Sequence, residues 1–186
     1  MQLKSRDFAI ERRTRRSNRI GGFTLIELIA IIVILAILAG AAMPAMNSLN
    51  AARPGAAARH LLNDLAFARQ YAIATGTPCW VSFDVNANTW HVMHEDAGMP
   101  GFAGASTVED RATGRPYVVE LGVAPFQGVQ ITAISLSGST RIGFNWLGQP
   151  LIDDDAVLPS QGQVTLSGNH RVRIEPVTGL AEYIAP

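Results

Sequence analysis

The sequence predicts an α+β chain, a long N-terminal helical spine packed on a C-terminal antiparallel β-sheet domain. Three observations carry that reading. Residues 21–40 form an almost purely apolar run behind a basic flank. Residues 56–75 repeat apolar side chains at three- and four-residue spacing, the stripe of an amphipathic helix. Everything after Gly76 reads as short alternating runs separated by turn residues, the texture of strands. At 186 residues there is room for one soluble domain and one extra element.

The formal net charge of zero hides an asymmetry. Up to Gly22 there are seven basic and two acidic residues, net +5; from Phe23 onward there are eight Arg, no Lys and thirteen acidic residues, net −5. A positive flank ahead of an apolar run keeps the N-terminus in the cytoplasm and sends the C-terminal part of the chain to the other side. Cys79 is the only cysteine, so no intrachain disulfide forms, and a lone thiol in an oxidising compartment is expected to be buried and inert.

Taking the elements in order, Phe23–Met43 as a helix reaches about 31 Å, enough for a bilayer core. Glu27 sits inside that stretch, where an acidic side chain costs roughly 2.5–3.5 kcal/mol at a span's centre. A core helix of a soluble protein does not explain the basic flank. A secretory signal peptide cut near Ala39-Gly40-Ala41 has no use for Glu27 or for Gly21-Gly22.

Gly22-Phe23-Thr24-Leu25-Ile26-Glu27-Leu28, behind a basic leader and ahead of the apolar run, closely resembles the N-terminus of type IV prepilin-like proteins. The resemblance implies that prepilin peptidase removes residues 1–22 by cutting between Gly22 and Phe23 on the cytoplasmic side. It implies N-methylation of Phe23. The new amine at Phe23 lies about one helical turn from Glu27. In a filament, Glu27 of one subunit could meet the Phe23 amine of its neighbour, since a charge pair in lipid is far cheaper than a lone charge. The bland alternative is that Glu27 snorkels to the headgroups.

Beyond the membrane and assembly helix, residues 23–43, Pro44 is expected to kink or locally melt the helix, and Arg53-Pro54-Gly55 to break it again. Residues 44–75 form the periplasmic part of the helix. Ala58, Leu61, Leu62, Leu65, Ala68, Ala72 and Ile73 make its apolar stripe, Arg59, Asn63 and Gln70 lie off its centre, and Gly76 is its C-cap. Residues 76–186 are the β-rich domain. Pro78–Val85 alternates, with Trp80, Ser82 and Asp84 on one face and Cys79, Val81, Phe83 and Val85 on the other. It turns at 86–88 and returns over Thr89–His94 as a hairpin. Glu95–Arg115 is expected to be a mobile loop. Further strands are expected over 117–121, 128–135, 140–146, 163–166, 171–175 and 181–184.

Leu65-Ala66-Phe67-Ala68-Arg69-Gln70-Tyr71-Ala72, with Phe144, Gly148 and the Val177-Thr178-Gly179 turn, is similar to the GspH/FimT group of minor pseudopilins and minor pilins. That resemblance implies a structural subunit of a type II secretion pseudopilus, working without catalysis or a cofactor. The implied partners are prepilin peptidase, other pseudopilins or pilins through the N-terminal helix, inner-membrane lipid, and secreted cargo or an outer-membrane secretin. It places a single-pass protein in the bacterial inner membrane with its C-terminal domain in the periplasm. The alternatives are a minor type IV pilin for pilus assembly or DNA uptake, and an exported soluble binding module.

No other motif points to chemistry. His91 and His94 lie three apart, which on a strand puts them on opposite faces and prevents a shared metal. Asp153-Asp154-Asp155 alone offers too few converging oxygens for Ca²⁺. Arg171 and Arg173 share a strand face, with Arg141 a possible neighbour, but a mature chain of net −5 without lysine is a poor phosphate-binding surface.

Overall fold

The computed structural model describes residues 23–110, 113–154 and 156–186, with the backbone alone for 41–51. Contacts divide the chain into two compact units that meet in sequence between Met43 and Pro44. Helix α1 (Leu25–Thr75) is assigned without a gap through both units. The expected melting at Pro44 and the break at Arg53-Pro54-Gly55 are therefore corrected. Each proline forgoes one backbone N–H bond, and the ladder resumes on the next turn. Gly55 is in the helix for a packing reason: a Cβ there would lie 3.3 Å from both the His170 ring and the Tyr183 hydroxyl. A glycine costs about 1 kcal/mol of helix propensity and lets the backbone reach the sheet. Gly76, with φ +75°, ends α1, and its N–H donates to Ala72 O at 2.9 Å.

Among the described residues, twelve strands come after the helix: β1 (Cys79–Asp84), β2 (Thr89–His94), β3 (Ser106–Thr107), β4 (Glu109–Asp110), β5 (Arg115–Pro116), β6 (Val118–Glu120), β7 (Ile131–Ser135), β8 (Arg141–Phe144), β9 (Pro150–Leu151), β10 (Gly162–Leu166), β11 (His170–Ile174) and β12 (Ala181–Ile184). One sheet runs β3-β2-β1-β8-β9, with β6 also on β2; a second runs β12-β11-β10-β7; β4 and β5 form a ribbon. The β1–β2 hairpin pairs in unbroken antiparallel register from Cys79↔His94 to Asp84↔Thr89. Its turn is held by Asp84 Oδ1, which accepts the Ala87 N–H at 2.8 Å. Asn88 then ties this hairpin to the second sheet, donating to Val129 O and accepting from Ile131 N–H.

A single core joins the helix to both sheets. Ala58, Leu61, Leu65, Ala68 and Ala72 of the expected stripe are fully buried, against Val81, Trp90, Val92 and Ile142 of one sheet and Val164, Leu166, Val172 and Ile174 of the other. Ile73 departs from the stripe and is 46% exposed. The thiol of Cys79 is buried, and burial pushes its pKa up to about 12, so it is inert at neutral pH.

Trp80 shows what alternation leaves open. It sits on the face opposite Val81 and Phe83, yet it is fully buried. Phe102 stands edge-on to its indole at 5.6 Å, and Arg141 lies 5.9 Å from the ring. Gly143 passes beneath, where any Cβ would collide with the indole. Residues 95–110, expected to belong to a mobile loop over Glu95–Arg115, are thus corrected to a structured cover, carrying a 3-10 turn (Phe102–Gly104), β3 and β4. It is tacked down by Asp154 Oδ1, which accepts the Phe102 N–H at 2.7 Å, and by Arg141, 4.2 Å over the Phe102 ring and 2.8 Å from Asp153.

Candidate functional site

Three arrangements stand out, the first at the start of α1. Thr24 is its N-cap: the Glu27 N–H donates to Thr24 Oγ1 at 3.3 Å and to Thr24 O at 3.1 Å. Thr24-Leu25-Ile26-Glu27 therefore has the order of a capping box, with Glu27 in the first turn, where a carboxylate complements the helix dipole. Glu27 makes no salt bridge among the described residues. From Leu25 to Leu38, every large apolar side chain is between 45% and 78% exposed. Such a helix, apolar on all sides, needs lipid or other helices around it. No helix among the described residues is long and apolar enough to cross a membrane. The part of α1 ahead of the backbone-only stretch, Leu25–Gly40, is about 24 Å long.

The second lies in the β domain. Arg69 Nε donates to Gly148 O at 3.1 Å and to Thr178 O at 3.0 Å, pinning the turn after β8 and the turn after β11 to α1. Gly179 has φ +64°, and a Cβ there would strike the Gly148 carbonyl and the Phe144 ring. Arg69, Phe144, Gly148 and Gly179, which are far apart in the sequence, thus form one clamp.

The third was not visible in the sequence. Asp64 is the buried charged residue of the described core, 5% exposed. Its Oδ2 accepts Trp90 Nε1–H at 2.7 Å and lies 3.1 Å from His60 Nδ1, while its Oδ1 accepts the Tyr117 hydroxyl at 2.7 Å. One carboxylate thus fastens helix, β2 and the strand-like segment before β6. Burial, and then the bond to Asp64, holds the Tyr117 hydroxyl well above the usual phenol range, so it stays protonated and donating. The signal was the i, i+4 pair His60/Asp64 beside the apolar stripe.

The hydrogen bond that His60 donates to Asp64 raises the pKa of His60 above its ordinary 6.5, against a smaller opposing effect of burial. A group whose folded pKa is raised contributes stability that is full below its unfolded pKa and is lost as pH rises through the folded one. The melting temperature is therefore expected to fall as pH is raised from about 6.5 through the folded value, with His60→Gln flattening that slope. Because the imidazole is 39% exposed, the contribution is under roughly 1 kcal/mol. A slope unchanged in His60→Gln would remove His60 from the account.

Among the residues singled out in the sequence, Gly22 and Asp155 lie outside the described residues, and Pro44 lies in the backbone-only stretch. Phe23 is 76% exposed. His91 and His94 do fall on opposite faces of β2; His94 turns toward Tyr71, with ring centres 6.1 Å apart. Arg171 and Arg173 share β11, whereas Arg141 belongs to the other sheet and is engaged with Asp153 and Phe102. Asp153, held below the usual carboxylate range by the Asp154 N–H and then by Arg141, and Asp154 both serve loop closure.

The same two stretches, the N-terminal segment and the β domain, match known protein families. The sequence profile of the type II transport protein GspH family matches residues 57–178, and that of the prokaryotic N-terminal methylation motif matches 17–43. Two structures of the minor pseudopilin EpsH from the type 2 secretion system of Vibrio cholerae share the fold. One has a TM-score of 0.51 at 14% identity, covering 72% of this chain and 98% of that one. The other has a TM-score of 0.53 at 13% identity, covering 72% and 97%. No curated protein matches the chain at a significant level.

Proposed function

We infer the function from kinship: the chain belongs to the type II transport protein GspH family, and it is a minor pseudopilin of type II secretion. The observation that carries this reading is the conjunction, in one chain, of the GspH profile over 57–178 with the N-terminal methylation motif over 17–43. The family is structural and membrane-anchored, and we take this member to be a non-enzymatic subunit of a periplasmic pseudopilus.

The mechanism rests on the helix. Prepilin peptidase cuts between Gly22 and Phe23, which keeps the apolar segment on the mature protein and frees an amine at Phe23, subsequently methylated. Residues 23–43 hold the subunit in the inner membrane until it assembles. The exposed side chains of Leu25–Leu38 then exchange lipid for neighbouring helices of other pseudopilins. Apolar surface alone does not fix how far one helix slides along another. Glu27 does so, because its carboxylate is relieved only when it faces a neighbour's Phe23 amine. Pro44, at the junction of the two units, is the natural hinge between the membrane part and the periplasmic part.

Deleting the gene is expected to abolish secretion through the type II pathway, with rescue by the intact chain. Normal secretion accompanied by loss of surface pili would instead assign the chain to a type IV pilus as a minor pilin.

A further inference from the structure

An open cleft of about 910 Å³ lies between α1 and the segment carrying β3 and β4. Phe67 and Tyr71, four residues apart on one helix face, line it from the helix, with ring centres 5.9 Å apart. His94 extends the row, 6.1 Å beyond Tyr71. Phe67 is 46% exposed although it is a large apolar side chain. Glu109, exposed on β4, lines the cleft from the other side, and Asp64 and Tyr117, bonded to each other, lie between.

The charge of the lining is one-sided. Among the described residues it holds three carboxylates, Asp64, Glu109 and Asp110, and no lysine or arginine. Asp64 is already met by its three donors and Asp110 accepts from the Thr113 hydroxyl, so Glu109 supplies the outward-facing charge. An anionic ligand would meet these carboxylates, and a purely apolar one would desolvate Glu109 without replacing its water. A flat cation satisfies both walls at once, stacking on the rings and pairing with the carboxylate.

We propose that this cleft binds an arginine side chain presented by an exposed segment of another protein. Arginine fits better than lysine because its guanidinium is planar, stacks on aromatic faces and pairs bidentately with a carboxylate. The volume exceeds what one side chain fills and leaves room for the flanking residues of a peptide. The proposal rests on the cleft and holds whichever filament the chain joins.

The test uses the full-length protein in detergent micelles and a fluorescent Gly/Ser peptide with one central arginine, read by anisotropy. Replacing that arginine by citrulline, which keeps the shape and removes the charge, is expected to weaken binding about tenfold. Glu109→Gln is expected to weaken it by a similar factor, and Phe67→Ala about threefold. Both positions are exposed, so far-UV circular dichroism should stay unchanged in both variants. Equal binding of the citrulline peptide, full affinity in both variants, or no binding of the arginine peptide overturns the proposal. N-acetylarginine amide binding as tightly as the peptide also overturns it, since it would mark a small-molecule site.

Discussion

Asp64→Ala is expected to lower the stability of the β domain by about 3–5 kcal/mol. The substitution removes the acceptor of Trp90 Nε1–H, of the Tyr117 hydroxyl and of His60, and Trp90 is fully buried. The buried indole N–H is left without its acceptor, so its desolvation goes largely uncompensated. Total stabilities of domains this size are about 5–15 kcal/mol, so the change removes a large share. Asp64→Asn should cost less, because one oxygen remains to accept, although its amide nitrogen then faces a donor. Tyr117→Phe should cost about 1 kcal/mol, the ordinary net contribution of one hydrogen bond. Chemical denaturation with tryptophan fluorescence checks the order Ala > Asn > Phe. Equal stability of wild type and Asp64→Ala would mean that Asp64 does not fasten helix to sheet.

Glu27→Ala should leave membrane insertion and leader removal intact and reduce filament incorporation at least tenfold. Two distinct losses are possible at this position, and they can be separated. Glu27 lies in the first turn of a helix capped by Thr24, where a carboxylate contributes about 0.3–1 kcal/mol through the dipole. It is also the charge proposed to meet the Phe23 amine of a neighbour. Glu27→Gln keeps the capping-box chemistry and discards the charge. If the intersubunit pair matters, Gln fails as Ala does; if only the cap matters, Gln restores assembly. Cysteine crosslinking between neighbouring helices reads the difference, and wild-type crosslinking in both variants would refute the docking role.

Legibility in the sequence tracked the reach of each physical signal. Local periodicity located the amphipathic half of α1 and the β1–β2 hairpin, because 3.6-residue and two-residue repeats are written in adjacent residues. Thr89–His94 and Ala181–Ile184 were readable to the residue. The triplet Arg53-Pro54-Gly55 misled, since packing around Gly55 outweighs a local helix penalty. β9 was missed, being two residues long. Alternation put Trp80 on the face opposite Val81 and Phe83, but could not reveal that Phe102 and Arg141 cover it from distant segments. For the same reason the Asp64 node escaped notice: Trp90 and Tyr117 lie 26 and 53 residues away. Phe144, Gly148 and Gly179 were noticed as a pattern, and the Arg69 clamp supplies the contact that explains them.

The most direct test is the chemical identity of the mature N-terminus. The protein purified from the inner membrane of a host with an intact prepilin peptidase should, by N-terminal sequencing and intact mass, begin at N-methyl-Phe23. It should revert to the full leader when the peptidase is absent. A mature chain beginning near Ala42 would mean that the apolar segment is discarded as a signal peptide, and the assembly role of Glu27 would fall with it.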